Sequence, residues 1–297
     1  MENCTNLGLI GWPLEHSLSP QIHQAALHEL NMCGYYCLYA IEPNKFQEIA
    51  IFDLLEHVAN GEIIGLNVTL PYKQTVLPFL AALTPAAARI GAVNTIYMED
   101  GLLMGDNTDA AGFRNDLLQL PVKKHSSALV LGAGGSARAV VFSLVEAGYS
   151  VSIAARDIQK AEILANSFNT IANKPVQTLS LQKDSLAQVS DTIDLLVNTT
   201  PLGMSPRIDT CAWPENLPLP LHACIYDLVY NPADTLLVRR ARQAGLPACS
   251  GLGMLVEQAA LSFERWTGLT APRAIMKQAA QQSCDSQSTQ LSPRTIK

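Results

Sequence analysis

The residues with the most chemical capacity lie in one short stretch, Asn67-Val68-Thr69-Leu70-Pro71-Tyr72-Lys73. A lysine ammonium can stabilise a developing negative charge and donate a proton, and in the reverse direction the amine is a base. Asn67 and Thr69 add an amide and a hydroxyl at alternate positions. Asp109, about three dozen positions on, offers a carboxylate that could orient such a lysine. A neighbouring carboxylate raises a lysine pKa and desolvation lowers it, so the pair, not either residue alone, carries the acid–base assignment. Ser17 and Ser19, in Ser17-Leu18-Ser19-Pro20, precede a helical pattern. Two hydroxyls at a helix N-terminus suit a carboxylate, because the helix end adds unpaired N–H groups and partial positive charge. Each group also has an ordinary alternative: a solvated lysine at a strand–helix junction, a Ser19 N-cap before Pro20, and an Asp109 carboxylate favoured by the helix dipole.

Chemistry at these positions needs elements that place them. The apolar run Glu62-Ile63-Ile64-Gly65-Leu66 reads as a strand ending in the lysine turn, at the sheet mouth where open α/β sheets bind ligands. Pro71 is expected to open a short helix to about residue 80. Before it come a strand at 5–11, a helix at 21–32, a strand at 35–41 and an amphipathic helix at 44–58. The last is expected to turn Phe46, Ile49, Phe52, Leu55 and Val58 inward. After it come a short helix at 84–90, a hairpin formed by 91–97 and 101–105, and a linking helix from 110 to 120 that starts beside Asp109.

A polar joint at 121–127 marks a boundary. Beyond it a strand at 127–131 runs into Gly132-Ala133-Gly134-Gly135-Ser136-Ala137, then a helix to 147 and a strand at 150–155. This is G-x-G-x-x-A in the βαβ setting that lets a pyrophosphate approach a helix N-terminus. The second strand ends at Ala155-Arg156-Asp157, where the adenosine ribose is met. Arg156, with Lys160 one turn on, suggests a 2′-phosphate pocket and hence NADP, while Asp157 either caps the next helix or weakens the pocket and admits NAD. Strands at 194–198 and 223–230 and a helix at 233–244 extend a parallel sheet. Helices at 254–266 and 272–281 follow, and the Ser/Gln/Thr-rich residues 283–297 read as disordered.

The 297 residues exceed one average domain, and 48% hydrophobic against 15% charged content excludes a disordered chain. A net charge of -6 without basic runs gives no footprint for nucleic acid, and no apolar run approaches a membrane span. Seven scattered cysteines without a Cys-x-x-Cys, and no secretory signal, favour reduced cytoplasmic thiols over disulfides and indicate no metal site.

Seven stretches, in order, resemble shikimate dehydrogenase: 17–20, 67–73, 91–95, 105–109, 132–137, 198–203 and 251–258. The resemblance runs from about residue 7 to 280. It implies an α/β fold with a substrate-binding domain at 1–112, joined by returning helices at about 254–282, and a Rossmann-like coenzyme domain at 113–253. It also implies NADPH-linked, reversible reduction of 3-dehydroshikimate to shikimate in aromatic amino acid biosynthesis. Ser17 and Ser19 match the serines that hold the substrate carboxylate. Lys73 and Asp109 match the lysine and aspartate flanking the reacting oxygen. Asn67, Thr69, Asn94 and Gln258 match residues holding substrate hydroxyls, and Tyr230 matches a tyrosine near the substrate. The coenzyme is expected at residues Gly132, Ala133, Gly134, Gly135, Ser136 and Ala137, at Arg156 and Lys160, at Thr199 and Thr200, and at Gly251 and Met254. Ala155-Arg156-Asp157 departs from the family's Asn-Arg-Thr/Ser, which leaves NAD open. Alternatives of the same fold class are an NAD-dependent quinate/shikimate dehydrogenase, a methylenetetrahydrofolate dehydrogenase, or a ligand sensor without turnover. A monomer or homodimer with a cleft between two domains is expected.

Overall fold

The structure is a computed structural model that describes residues 4–122 and 126–290. The chain opens with β1 (Thr5–Gly11), α1 (Ser19–Glu29), β2 (Gly34–Ala40), α2 (Gln47–Ala59) and β3 (Gly65–Val68). A short strand β4 (Ala82–Leu83), α3 (Pro85–Ile90) and the hairpin β5 (Thr95–Glu99) and β6 (Leu102–Asp106) follow. These six strands form one sheet in the order β2-β1-β3-β5-β6-β4. β1 runs parallel to both its neighbours, and β5 is antiparallel to β3 and β6.

After α4 (Thr108–Leu117) come β7 (Ser127–Leu131), α5 (Gly135–Glu146), β8 (Ser150–Ala155), α6 (Ile158–Phe168), β9 (Gln177–Ser180) and α7 (Lys183–Ser190). Then follow β10 (Leu195–Asn198), β11 (Cys224–Asp227), α8 (Leu236–Gln243) and β12 (Ala248–Ser250). The second sheet is wholly parallel, ordered β12-β11-β10-β7-β8-β9. Counted within the sheet this is the 3-2-1-4-5-6 order of a doubly wound dinucleotide fold, with its switch point between β7 and β10. Both faces are apolar, as a parallel sheet requires. Ala128 and Val130 of β7 face a core with α4, α5 and α6, while Leu129 and Leu131 face one built with Trp213 and α8.

The last helices are α9 (Leu252–Thr267) and α10 (Arg273–Gln290). The chain divides into two compact units: residues up to 84, 93–106 and from 259 onward, and residues 85–92 with 107–258. The first sheet belongs to the first unit and the parallel sheet to the second. No described helix is long and apolar enough to cross a membrane.

Several local expectations are corrected. No α-helix follows Pro71: residues 70–76 form successive turns that end in a 3₁₀ turn at Leu77–Phe79. Pro78 explains this, since it has no N–H to donate to the Gln74 carbonyl, which takes the Leu77 N–H instead (3.2 Å). In α2 the buried residues are Ile51, Leu55 and Val58, while Phe46, Ile49 and Phe52 are exposed. A constant step of three drifts round a helix of 3.6 residues per turn, and only the i, i+4, i+7 set holds one face. α10 continues through Gln290, eight residues into the stretch expected to be disordered, because Met276, Ala280 and Cys284 keep a buried stripe. Residues 291–297 of that stretch and 123–125 of the expected joint lie outside the described residues. The cysteines are not all reduced: Cys4 and Cys33 form a disulfide. Thr5 pairs with Gly34 in the parallel register, so the residues just before them abut, with Cα atoms 4.8 Å apart. Cys37, Cys211, Cys224, Cys249 and Cys284 take part in no disulfide.

Candidate functional site

In the first unit, three stretches predicted to carry chemistry leave the same end of one sheet. Thr69 N–H donates to Ile10 O and Trp12 N–H to Leu70 O, both at 2.9 Å, so the exits of β1 and β3 run side by side. A side chain on Gly11 would overlap Thr69 Cγ2, so a glycine is needed there. Val93 N–H donates to Lys73 O (2.7 Å) and Val68 N–H to Asn94 O (2.9 Å), which ties Asn94 to the lysine turn. Asn67, Thr69, Lys73 and Asn94 are thereby gathered at one sheet mouth, and the chain leaving β1 there runs on to Ser17 and Ser19 at the start of α1. Lys73 is buried at 9% exposure, where an ammonium is tolerated only with polar or charged company. The serines divide their work differently from the N-cap expectation. Ser19 is the first residue of α1, and it is Ser17 Oγ that accepts the Ser19 N–H (3.3 Å).

Asn67 is the hub of a buried network. Its Oδ1 accepts from Tyr36 OH (2.8 Å), and its Nδ2 donates to Asn94 O and Ser262 Oγ, both at 3.0 Å. Thr95 Oγ1 donates to Asn94 Oδ1 (3.0 Å) and lies 2.7 Å from Ser262 Oγ. Both amide hydrogens of Asn67 are therefore committed, and what it retains is one acceptor lone pair. His23 stacks flat on Tyr36, with ring centroids 4.4 Å apart, and neither ring nitrogen has a hydrogen-bond partner. Burial pushes its pKa down to about 3, against a smaller opposing effect of the Asn67 side chain. Tyr36, Ser262 and His23 were not singled out in the sequence. Ser262 had a signal: it lies one turn beyond Gln258 on the same helix face.

In the second unit, Asn107 caps α4. Its Oδ1 accepts the Ala110 N–H (3.3 Å) and its Nδ2 donates to Ala92 O (2.9 Å). Asp109, 4% exposed, stands in the first turn of α4, where the helix dipole favours a carboxylate. Gln258 is buried on α9 and its Nε2 donates to Leu255 O (2.8 Å). Tyr230 is half-buried just beyond β11.

The glycine turn lies at the switch point. Gly132 has φ +112°, and a Cβ there would press on Thr199 Oγ1 at 2.6 Å, so both conformation and space require glycine. Gly134 precedes α5 with no side-chain cap, and a Cβ on it would meet nothing within 4 Å. An uncapped helix N-terminus below open space fits a pyrophosphate. Thr199 Oγ1 donates to Leu131 O (2.7 Å), binding the turn after β10 to the end of β7. Thr200 Oγ1 donates to Asn198 Oδ1 (2.7 Å). Asn198 Nδ2 donates in turn to Asp227 Oδ1 (2.8 Å), and Thr235 Oγ1 to Asp227 Oδ2 (2.7 Å). Burial raises the Asp227 pKa to about 6, although these hydrogen bonds pull it down. Sequence reading missed Asp227, because a carboxylate ending an apolar strand gives no local sign of burial. Arg156 is exposed, and Asp157 is the N-cap of α6: it accepts the Lys160 N–H (3.2 Å) and lies 3.7 Å from Lys160 Nζ. Gly251 is pressed against Leu228 O, and Met254 packs into the apolar core. No cluster able to hold a metal occurs among the described residues.

A doubly wound sheet with an open glycine turn and a mixed sheet whose mouth gathers polar side chains and a buried lysine together define a nucleotide-dependent dehydrogenase of two α/β units. Residues 9–96 match the family model described as the shikimate dehydrogenase substrate binding domain, and residues 251–281 match the shikimate 5′-dehydrogenase C-terminal domain. A shikimate dehydrogenase (NADP(+)) of Desulforamulus reducens is 40% identical, over 91% of this chain and 92% of its own. The chain belongs to the shikimate dehydrogenase family. Among solved structures, shikimate 5-dehydrogenase of Thermus thermophilus in complex with NADP(H) and shikimate is 37% identical, with a TM-score of 0.82 over 94% of this chain and 99% of that one. Quinate dehydrogenase of Corynebacterium glutamicum in complex with NAD is 30% identical, with a TM-score of 0.85 over 94% and 99%.

Proposed function

We propose that this chain catalyses the reversible NADPH-linked reduction of 3-dehydroshikimate to shikimate, a step of aromatic amino acid biosynthesis. The observation that carries the reading is that Thr69, Lys73 and Asn94 share one sheet mouth in a chain of this family. The substrate domain comprises residues 1–112 with the returning helices at about 254–282, and the coenzyme domain comprises 113–253. Ser17 and Ser19 hold the carboxylate at the start of α1. Thr69, Asn94 and Gln258 hold ring hydroxyls, Tyr230 lies against the ring, and Asn67 contributes an acceptor while ordering Asn94. Lys73 donates a proton to the carbonyl oxygen as it becomes an alkoxide, and takes it back in the oxidation; Asp109 orients that amine. Bound NADPH supplies the hydride. The turn at 132–137 holds its pyrophosphate, with Thr199, Thr200, Gly251 and Met254 lining the coenzyme, and Arg156 and Lys160 meet the 2′-phosphate.

A second reading, an NAD-dependent quinate/shikimate dehydrogenase, is favoured by one observation: Asp157 lies beside Lys160 and draws its charge away from a phosphate. Nicotinamide absorbance with shikimate and quinate, each against NADP and NAD, tests both readings. Highest kcat/KM with shikimate and NADP supports the first, and with quinate and NAD the second. A cytoplasmic location belongs to the same proposal, since five of the seven cysteines take part in no disulfide; cell fractionation checks it. The active form is a monomer or homodimer, to be weighed by light scattering on the eluting protein.

A further inference from the structure

We propose that one face of α4, formed by Gly112, Asn115 and Asp116, clamps the start of α9 and so fixes the spacing between Asp109 and Gln258. Gly112 and Asp116 are then positioning residues for the reaction, and the proposal rests on the shikimate reading above. Residues 109, 112 and 116 stand at i, i+3 and i+7, so they share one stripe of α4, and 115 adjoins it. Each of the three clamping residues meets α9 or its first turn. A Cβ on Gly112 would lie 2.8 Å from Gln258 N, 2.9 Å from its Cβ and 3.1 Å from its Cα. Those are backbone and stem atoms, so no side-chain rotation relieves the contact, and the two helices would have to separate. Asn115 Nδ2 donates to Glu257 Oε2 (3.2 Å). The Asp116 carboxylate packs on Gly253, where a side chain would collide with it. It also accepts from Tyr226 OH, which in turn engages the Met254 N–H. A carboxylate at the first turn of α9 suits the helix dipole.

The clamp thus begins one turn from Asp109 on α4 and ends on the backbone of Gln258 itself. A substitution at Gly112 would shift either group by a fraction of an ångström to about one ångström, and a misplacement of that size is worth up to about 100-fold in rate. A role confined to folding would lower thermal stability and leave the kinetics of the folded fraction alone.

The experiment uses the full chain as wild type, Gly112→Ala, Asn115→Ala, Asp116→Ala and Asp116→Asn. It reads kcat, KM for shikimate, the NADP dissociation constant and Tm. For Gly112→Ala we expect kcat/KM for shikimate to fall about 10- to 100-fold, with both kcat and KM affected and NADP affinity within about 2-fold of wild type. Asp116→Asn, which keeps the volume and an acceptor for Tyr226, should recover most of what Asp116→Ala loses. Should Gly112→Ala fail to fold, Asn115→Ala adds no volume and should still raise KM about 3-fold or more, in line with one lost polar tie. An active wild type with wild-type kinetics in folded Gly112→Ala, or in Asn115→Ala where that variant is the readout, would overturn the clamp alone. A wild type that does not oxidise shikimate with NADP would overturn the reading beneath it.

Discussion

Replacing Asp227 by asparagine should remove a pH dependence from the stability of the protein. Asp227 is fully buried, and its carboxyl is held by Asn198, Val229 and Thr235. Burial raises its pKa from 3.8 to about 6. Below about pH 4 the group is protonated in both folded and unfolded chains and contributes no difference. As pH rises from about 4 to about 6 the unfolded chain ionises first, so folded stability falls; above about 6 both are ionised and the penalty stays constant. At 1.36 kcal/mol per pKa unit the full penalty is about 3 kcal/mol, of which about 2–2.5 kcal/mol develops between pH 4 and pH 7. Urea unfolding of wild type and Asp227→Asn at pH 4, 5, 6 and 7 reads this directly. The unfolding free energy of wild type minus that of the variant should decline by about that amount across the series, whatever its absolute value at any one pH. Parallel curves would refute the reasoning. Because Asn198 also orients Thr200, the variant should bind NADP more weakly at pH 7, by about 3-fold or more, as one displaced hydrogen bond would give.

The other expectations concern separate groups. Ser17→Ala should raise KM for shikimate with little change in kcat, because the carboxylate lies away from the reacting carbon; a defect in kcat alone would contradict the assignment. Arg156→Ala should raise KM for NADP roughly 10- to 100-fold, as expected for lost hydrogen bonds to a charged group, and leave KM for NAD unchanged. Equal losses with both coenzymes would remove Arg156 from the 2′-phosphate. His23→Phe keeps the stack on Tyr36 and discards two unpartnered nitrogens. With its folded pKa near 3 and its unfolded value 6.5, the imidazole stabilises the fold above about pH 6.5, and that stability drains away as pH falls towards 3. The variant should therefore escape about 2 kcal/mol of the stability that wild type loses between pH 6.5 and pH 5, and thermal melts at both values would show whether it does.

Much of this architecture was legible in the sequence because its signals are local. The glycine turn between an apolar strand and a helix announced the second sheet, and alternation of strands with helices announced that it is parallel. The lysine turn, the serine pair and Asn94 were each visible as polar residues at strand exits. That they leave one sheet mouth was not, since their adjacency is carried by backbone bonds such as Trp12 to Leu70 and Val93 to Lys73 across the register of β1, β3 and β5. The errors share a cause. Phe46, Ile49 and Phe52 resemble a core stripe in the sequence, but a constant step of three departs from the face that a helix of 3.6 residues per turn buries. The helix expected after Pro71 gave way to Pro78, and the start of the polar tail stayed helical as a continuation of α10, whose buried stripe of Met276, Ala280 and Cys284 reaches into it. Cys4 and Cys33 are distant in sequence and become neighbours only through the pairing of Thr5 with Gly34. Asp227 and His23 have perturbed pKa values set by burial, which no local pattern records.

The central claim is that Lys73 and Asp109 act together on one substrate oxygen, and a double-mutant cycle on kcat tests it most directly. Lys73→Ala should lower kcat with shikimate and NADP by at least ~100-fold, the low end for lost general-acid help. If the two groups work as a unit, Asp109→Asn added to Lys73→Ala should cost little more, because the amine that the carboxylate orients is already gone. Losses that simply multiply, or near-wild-type turnover in Lys73→Ala, would contradict the account.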